Sequence, residues 1–298
     1  MANTIGTQTM SSVYRGKYLS SNLQQVLRKA LVAEAVCDVD RSDVRYIHNP
    51  YSGQPAASIH SSLLGTYAIS TFATTEDTLT VNSEFVYSEH IYDFERWISN
   101  YDLQAARLDE MTYAIGYAID WWVVNGLCED GTGTYDTPTG GFTTPANIPV
   151  IMSNLISKVA GYADVYKGLF LIIEAGDIVG FMQSMASSGF SFADAALKNG
   201  FMNSYMGVDL YVVRGSTFAS PTATGGAVPS YSGNKTYTND GHRVFGVKGM
   251  ATYAAPRGIQ YEEKMVSGKT GREIVSYGYC GFKVWTQKAS LLVDITIK

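Results

Sequence analysis

"YDLQAARLDEMTYAIGYAIDWWVVNGLC", residues 101–128, is the longest stretch with helical period, and the placing of its charges decides what it can be. Leu108, Met111, Ile115, Ala118, Ile119 and Trp122 recur at three- and four-residue spacings and form one apolar stripe. Asp102, Arg107, Asp109 and Glu110 charge the opening turns, and Asp120 and Asn125 interrupt the apolar run that follows. A membrane span needs about 18 consecutive apolar residues, so this stretch reads as a helix of a folded domain. Its early acidic residues suit the positive end of the helix dipole, and Asn100 or Asp102 is the natural cap. Helical from 102 to 126, it measures roughly 37 Å at 1.5 Å per residue, so one face must lie on a sheet or on other helices along nearly its full run. Asp120, between Ile119 and Trp121, has two readings: a buried carboxylate with a raised pKa, or a side chain that leaves the stripe to meet an Arg or Lys. The second is the expectation. Trp121 and Trp122 read as core and interface rather than as a ligand platform.

The bulk composition sets the frame around this helix. The 298 residues suffice for one large or two ordinary domains. Charged residues make up 16%, well below the roughly 25% usual in soluble domains, whereas 46% are hydrophobic and 21 are tyrosines. Tyrosine joins an apolar body to a polar tip and suits surfaces that become buried against other chains. Low charge with many tyrosines therefore points to large protein–protein contacts. A net charge of −5 and a pI near 5.4 argue against electrostatic nucleic-acid binding, although not against enclosing nucleic acid. Cys37, Cys128 and Cys280 lie far apart without CxxC or CxxH spacing, so neither a zinc motif nor a disulfide framework is expected. The polar first 20 residues carry no secretory signal.

Working outward, residues 1–20 read as a polar arm, and "SSNLQQVLRKALVAEA" reads as a helix. Leu23, Val26, Leu27, Ala30 and Leu31 share a face, and Ser21 with Gln24 forms a capping box. Residues 37–78 carry Pro, Gly, Ser and Asn punctuation and short β-prone pieces such as "VRYI" and "TYAISTF"; a two-stranded excursion is expected there. "TLTVNSEFVY" alternates, with Leu79, Val81, Phe85 and Tyr87 on one face, and reads as one strand. After the long helix, "EDGTGTYDTPTGGFTTPANIP" reads as a surface loop, the glycines of 131–136 making a tight turn. A helix–strand alternation then follows, through "PVIMSNLISKVAGYADVY", "LFLIIEA", "DIVGFMQSMAS", "SFADAALKNGFMNSY" and "VDLYVVRG", as in an α/β unit. Residues 216–240 form a second polar loop, and the remainder is β-rich.

Catalytic grammar is absent: no GxSxG elbow, Walker A loop, HExxH or Rossmann glycine fingerprint occurs. His48, His60, His90 and His242 have no partner at metal-ligand spacing and read as hydrogen-bonded surface or interface residues. Asp38, Asp40 and Asp43 in "DVDRSD" lack the glycine and closing glutamate of a calcium loop, so a capped turn is expected. No lysine lies between Lys29 and Lys158, while Lys248, Lys264, Lys269, Lys283, Lys288 and Lys298 crowd the end as solvated or interface charges; Arg257 sits in an "APRG" turn suited to a subunit contact. The expected catalytic, cofactor-binding and metal residues are therefore none.

The order of elements carries a resemblance. "TLTVNSEFVYSEHIYDFERW" followed by "YDLQAARLDEMTYAIGYAIDWWVVNG" resembles the end of the extended loop and the spine helix of the tailed-bacteriophage major capsid proteins, the Hong Kong 97-like fold. "PVIMSNLISKVAGYADVYKGLFLIIEAGDIVGFM" resembles the first helix and strand of that fold's axial domain, and "GREIVSYGYCGFKVWTQKASLLVDITIK" its peripheral return ribbon. The resemblance implies an α+β chain with an N-terminal arm and helix over 1–36 and an extended two-stranded loop over 37–80. The peripheral domain with its spine helix would span 81–146 and 258–290, and the α/β axial domain 147–257, with strand 291–298 joining either. It implies a coat protein that self-assembles in hexamers and pentamers into an icosahedral shell around double-stranded DNA, without sequence-specific binding, cofactor or membrane, in a virion assembled in the host cytoplasm. Some members of the family crosslink through a lysine of the extended loop; residues 38–80 contain none, which rules that crosslink out. With only a short arm and the loop before the spine helix, a separate scaffolding protein is implied, together with a portal and a possible decoration protein. Two other readings stay open at this level: an encapsulin-type nanocompartment shell, and an α/β enzyme or ligand-binding protein with 129–147 and 216–240 as lids.

Overall fold

The computed structural model describes residues 31–52, 74–94, 103–187, 204–213 and 241–298. Its elements in chain order begin with a one-turn helix Ala33–Val36, strands β1 (Asp38–Asp40), β2 (Tyr46–Ser52), β3 (Thr74–Thr80) and β4 (Ser83–Ile91), and the long helix Leu103–Asp130. There follow β5 (Gly133–Asp136), helix Ile148–Val159, β6 (Leu169–Glu174), helix Ile178–Ser187, β7 (Ser204–Tyr205), β8 (Val208–Val213) and β9 (His242–Val247). The chain closes with β10 (Ala251–Ala254), β11 (Ile259–Lys264), β12 (Arg272–Val284) and β13 (Leu292–Thr296). Among the described residues these form three sheets. β12 is the hub of a five-stranded sheet, paired along its length with β4, β10 and β11, while β1 adds parallel to β10. A six-stranded sheet runs β5-β13-β9-β6-β8-β7, and β2 and β3 pair antiparallel as a separate ribbon.

The long helix connects the two larger sheets, and at 28 residues it measures about 42 Å. Met111, Ile115, Ile119 and Trp122 of the expected stripe are buried, with Leu108 and Ala118 partly buried beside them. Over its first turns this stripe rests on the β4–β12 ribbon, and the described residues off the stripe are half-buried or exposed. From Ile119 to Cys128 every residue is buried, because the helix there also meets β9 and β13 of the second sheet. Trp122 fixes the crossing: its ring stands edge-on to Phe85 of β4 at 5.9 Å and to Phe282 of β12 at 6.0 Å, a favoured aromatic geometry. One continuous apolar core runs from Phe85 and Ile115 through Trp122 and Leu127 to Phe142, Phe181 and Phe245.

Several sequence expectations change. "TLTVNSEFVY" is two strands broken at Val81–Asn82, so Leu79 joins a small cluster with Ala254 and Trp285, Phe85 enters the main core, and Tyr87 is exposed. β2 pairs with β3; "TYAISTF", most of the helix expected over 20–35 and all of "SFADAALKNG" lie outside the described residues. Leu31 is exposed and precedes the helical turn. The 129–147 segment is no simple loop. Residues 133–136 form β5, which adds parallel to β13, and Phe142 is fully buried, stacked on Phe181 at 5.6 Å. Glycine makes both possible: a side chain at Gly133 would meet the Leu292 carbonyl at 2.9 Å, and one at Gly180 would strike the Phe142 carbonyl. β5 and β13 belong to the six-stranded sheet and β10 to the five-stranded one, so the chain changes sheets at residue 130, between β9 and β10, and after β12.

Trp122→Ala removes the ring between β4 and β12 and leaves a cavity in a packed core, with an expected loss of about 3–5 kcal/mol. Chemical denaturation of the unassembled subunit measures this; a loss under about 1 kcal/mol would contradict the packing described.

Candidate functional site

The long helix, the chain entering it from residue 31 and the turn between β10 and β11 enclose an open groove of about 820 Å³. Leu31, Tyr113, Ile119, Asp120, Tyr253 and Ile259 contribute to its walls. No comparable motif in sequence marks it, because its lining comes from four separated segments.

Asp120 is the polar centre of this region. It is 2% exposed, and its Oδ1 accepts the backbone N–H of Val32 at 2.8 Å and of Ala33 at 2.6 Å. These are amides at the start of the one-turn helix Ala33–Val36, which carries no side-chain cap of its own; the carboxylate from the long helix supplies the acceptor instead. The expected Arg or Lys partner is replaced by backbone, and the buried-carboxylate reading holds. Burial raises the Asp120 pKa to about 6, against the lowering effect of the two backbone bonds. Its Oδ2 has no hydrogen-bond partner; among the described residues only His90 Nδ1 shares that condition. Burial, and then the Asp120 charge, push up the Cys37 thiol; burial, followed by Tyr113 and Asp120, raises the Tyr117 phenol. Burial alone raises the Cys280 thiol to about 12, so neither Cys37 nor Cys280 has the lowered pKa of a reactive cysteine.

The other candidates resolve into pairs. His48 bonds Glu76 and lies 3.3 Å from Thr78 Oγ1 across β2 and β3; His90 Nε2 lies 3.1 Å from the Thr270 carbonyl, with its ring edge-on to Tyr92. His60 lies outside the described residues. Asp40 accepts the Ser42 N–H at 2.8 Å and its hydroxyl at 2.6 Å, the capped turn expected, and these bonds lower its pKa. Asp43 instead holds Arg257 through two bonds of 3.2 Å, so that arginine ties β1's turn to the β10–β11 turn within one chain. Lys248, Lys264, Lys283 and Lys298 pair with Asp209, Glu262, Asp77 and Asp136.

Two polar clusters escaped sequence reading because each joins distant segments. Arg243 of β9, 4% exposed, donates Nε–H to Asp177 at 2.6 Å, and its Nη2 lies 3.1 Å from Glu174. At the far end of the long helix, the Cys128 thiol donates to Asp294 Oδ1 at 2.9 Å, and His242 Nδ1 lies 3.0 Å from the same oxygen. Asp294 and His242 are diagonal neighbours on the antiparallel β13–β9 pair, a relation that only the register reveals.

Asn at position 120 keeps an oxygen for the two amides and cannot ionise. Since burial raises the folded pKa above the ordinary 3.8, the contribution of Asp120 is fully present below about pH 4 and lost as pH rises through about 6, worth about 3 kcal/mol across that window. Denaturation between pH 4 and 8 is therefore expected to show a decline in the native chain that Asp120→Asn flattens; an unchanged slope would contradict the assignment. Asp120→Ala, which strands both amides, is expected to lose about 1–3 kcal/mol at pH 4 and to show the same flattened slope above it.

Neither protein-family models nor curated protein sequences match this chain. Solved structures do. A structure from Mycobacterium phage Che8 matches with a TM-score of 0.72 at 12% identity, covering 94% of this chain and 96% of that one. The capsid of the cyanophage P-SCSP1u matches with 0.72 at 13% identity, covering 96% and 94%. The capsid of an empty GTA particle matches with 0.70 at 15% identity, covering 97% and 99%. Nearly the whole chain, sheets and long helix together, thus has the α+β fold of phage capsid proteins, the architecture that the order of its sequence elements resembles.

Proposed function

We propose that this chain is the major capsid protein of a tailed bacteriophage, many copies of which close as hexamers and pentamers into an icosahedral shell around double-stranded DNA. The observation that carries this reading is the fold match to capsid structures over almost the full length of both chains. The surface agrees with it. Along β12, Ile274, Ser276, Gly278 and Cys280 turn inward, while Val275, Tyr277 and Tyr279 share the opposite face with Val86 of β4. That face leaves Val86 55% and Tyr279 42% exposed, apolar area that a neighbouring copy would cover. Such burial reconciles low charge with a stable assembly, and repeated copies of one interface suit a closed shell.

In this reading the five-stranded sheet and the long helix form the peripheral domain, the six-stranded sheet with its two helices forms the axial domain, and the β2–β3 ribbon belongs to the extended loop. The role is structural rather than catalytic. The net charge of −5 suits a wall that encloses DNA without gripping it. Assembly takes place in the host cytoplasm with a separate scaffolding protein and a portal, and a decoration protein binds outside if one is present. Without lysine in residues 38–80, non-covalent burial holds the extended loop in place.

Electron microscopy and sedimentation of the expressed protein, alone and with its genomic neighbours, test the proposal. Hollow icosahedral particles or capsomer-like rings are expected. A monodisperse monomer or dimer under all these conditions would overturn it, and particles filled with a folded cargo protein would transfer the fold to a nanocompartment shell.

A further inference from the structure

The three side chains at the end of the long helix form a donor set that the shell assignment does not use. Cys128 lies in the helix's last turns, His242 opens β9, and Asp294 sits in the middle of β13. Their sulfur, nitrogen and oxygen atoms all lie within 4.8 Å of one another. Cys128 is 0% and Asp294 3% exposed, whereas the His242 side chain keeps 25% exposure. We propose that Cys128, His242 and Asp294 form a zinc site that clamps the long helix to the six-stranded sheet.

Tetrahedral zinc holds thiolate, imidazole and carboxylate atoms at about 2.0–2.3 Å, which places neighbouring donors about 3.3–3.7 Å apart. The observed separations of 2.9 Å for Cys128–Asp294 and 3.0 Å for His242–Asp294 need to open only by about half an ångström to reach that range. Charge balances as well: a divalent ion with one thiolate and one carboxylate is neutral, which suits a buried place where net charge is costly. A thiolate beside an imidazole selects zinc over magnesium or calcium, which prefer oxygen donors. Three protein donors match the three-ligand zinc sites in which water completes the tetrahedron. On binding, Cys128 releases its thiol proton to solvent, and His242 ligates through Nδ1 in the neutral form that carries its proton on Nε2. A nucleophilic role for Cys128 fits less well, since complete burial denies a substrate the approach it needs.

The joint matters because of what it connects. Residues 128, 242 and 294 belong to three segments that meet where the helix enters the second sheet. An ion there ties them with bonds stronger than the hydrogen bonds present. The inference stands on these residues alone and does not depend on the shell reading.

Cobalt titration of the full chain, stripped with chelator under reducing conditions, tests it. One cobalt ion per chain is expected to bind, giving the visible bands of tetrahedral coordination and a near-ultraviolet thiolate-to-cobalt band, both removed by zinc. Cys128→Ser should abolish the thiolate band, and Cys37→Ser should leave it. His242→Ala, at a partly exposed position with little packing to lose, should weaken binding by about tenfold or more while circular dichroism stays native. Absence of the thiolate band in the native chain, its persistence in Cys128→Ser, or undiminished affinity in folded His242→Ala would overturn the proposal. Should Cys128→Ser fail to fold, His242→Ala decides.

Discussion

Between Ile119 and Cys128 the long helix has no solvent-facing side, and this enclosure ties the two large sheets into one core. An isolated helix gains little from propensity; its stability here comes from the apolar surface it buries on both sides. The first turns need only a stripe, because they rest on the β4–β12 ribbon. The last turns need apolar side chains all round, because β9 and β13 close over the face that would otherwise meet water. β12 is the matching element of the first sheet: it pairs with three strands and presents Phe282 to Trp122. Helix and strand together set where the remaining elements can go.

Burying a helix so completely leaves its few polar side chains with obligations. Asp120 satisfies the backbone amides of Val32 and Ala33 and so fixes that short helical turn against the long helix. Asn125 turns inward on its own helix and donates to the Trp121 carbonyl at 2.8 Å. Cys128 reaches Asp294. Each lies in the half of the helix that the sheets enclose, and each substitutes a local partner for water, as buried polar groups must. These contacts give the joint a specific geometry that apolar packing alone does not dictate.

The sequence made much of the fold legible, and the illegible parts share a cause. Met111, Ile115, Ile119 and Trp122 announced the buried stripe through spacing alone, and the charged opening turns excluded a membrane span. Asp120 misled because the side chain's partners are backbone amides, which carry no sequence signature. The strand at 133–136 looked like a turn because Gly131 and Gly133 stand at its start; its parallel pairing with residues 293–296 is a relation across some 160 positions that no local pattern encodes. The same holds for Cys128, His242 and Asp294, whose proximity rests on the register of β9 against β13. The break at Val81–Asn82 was hidden because the alternation continues across it while the strand changes partners from β2 to β12.

Under the proposed shell reading, the chain divides into surface that is buried within the chain and surface that is buried only by its neighbours. Hydrogen exchange on assembled particles and on dissociated subunits separates the two most directly. Residues 119–128 are expected to exchange slowly in both states, since the chain's own sheets enclose them. Strand 259–264, which pairs on one side only and leaves Tyr261 exposed, is expected to exchange slowly only in particles. Equal exchange of that strand in both states, or rapid exchange of 119–128 in the free subunit, would contradict this account.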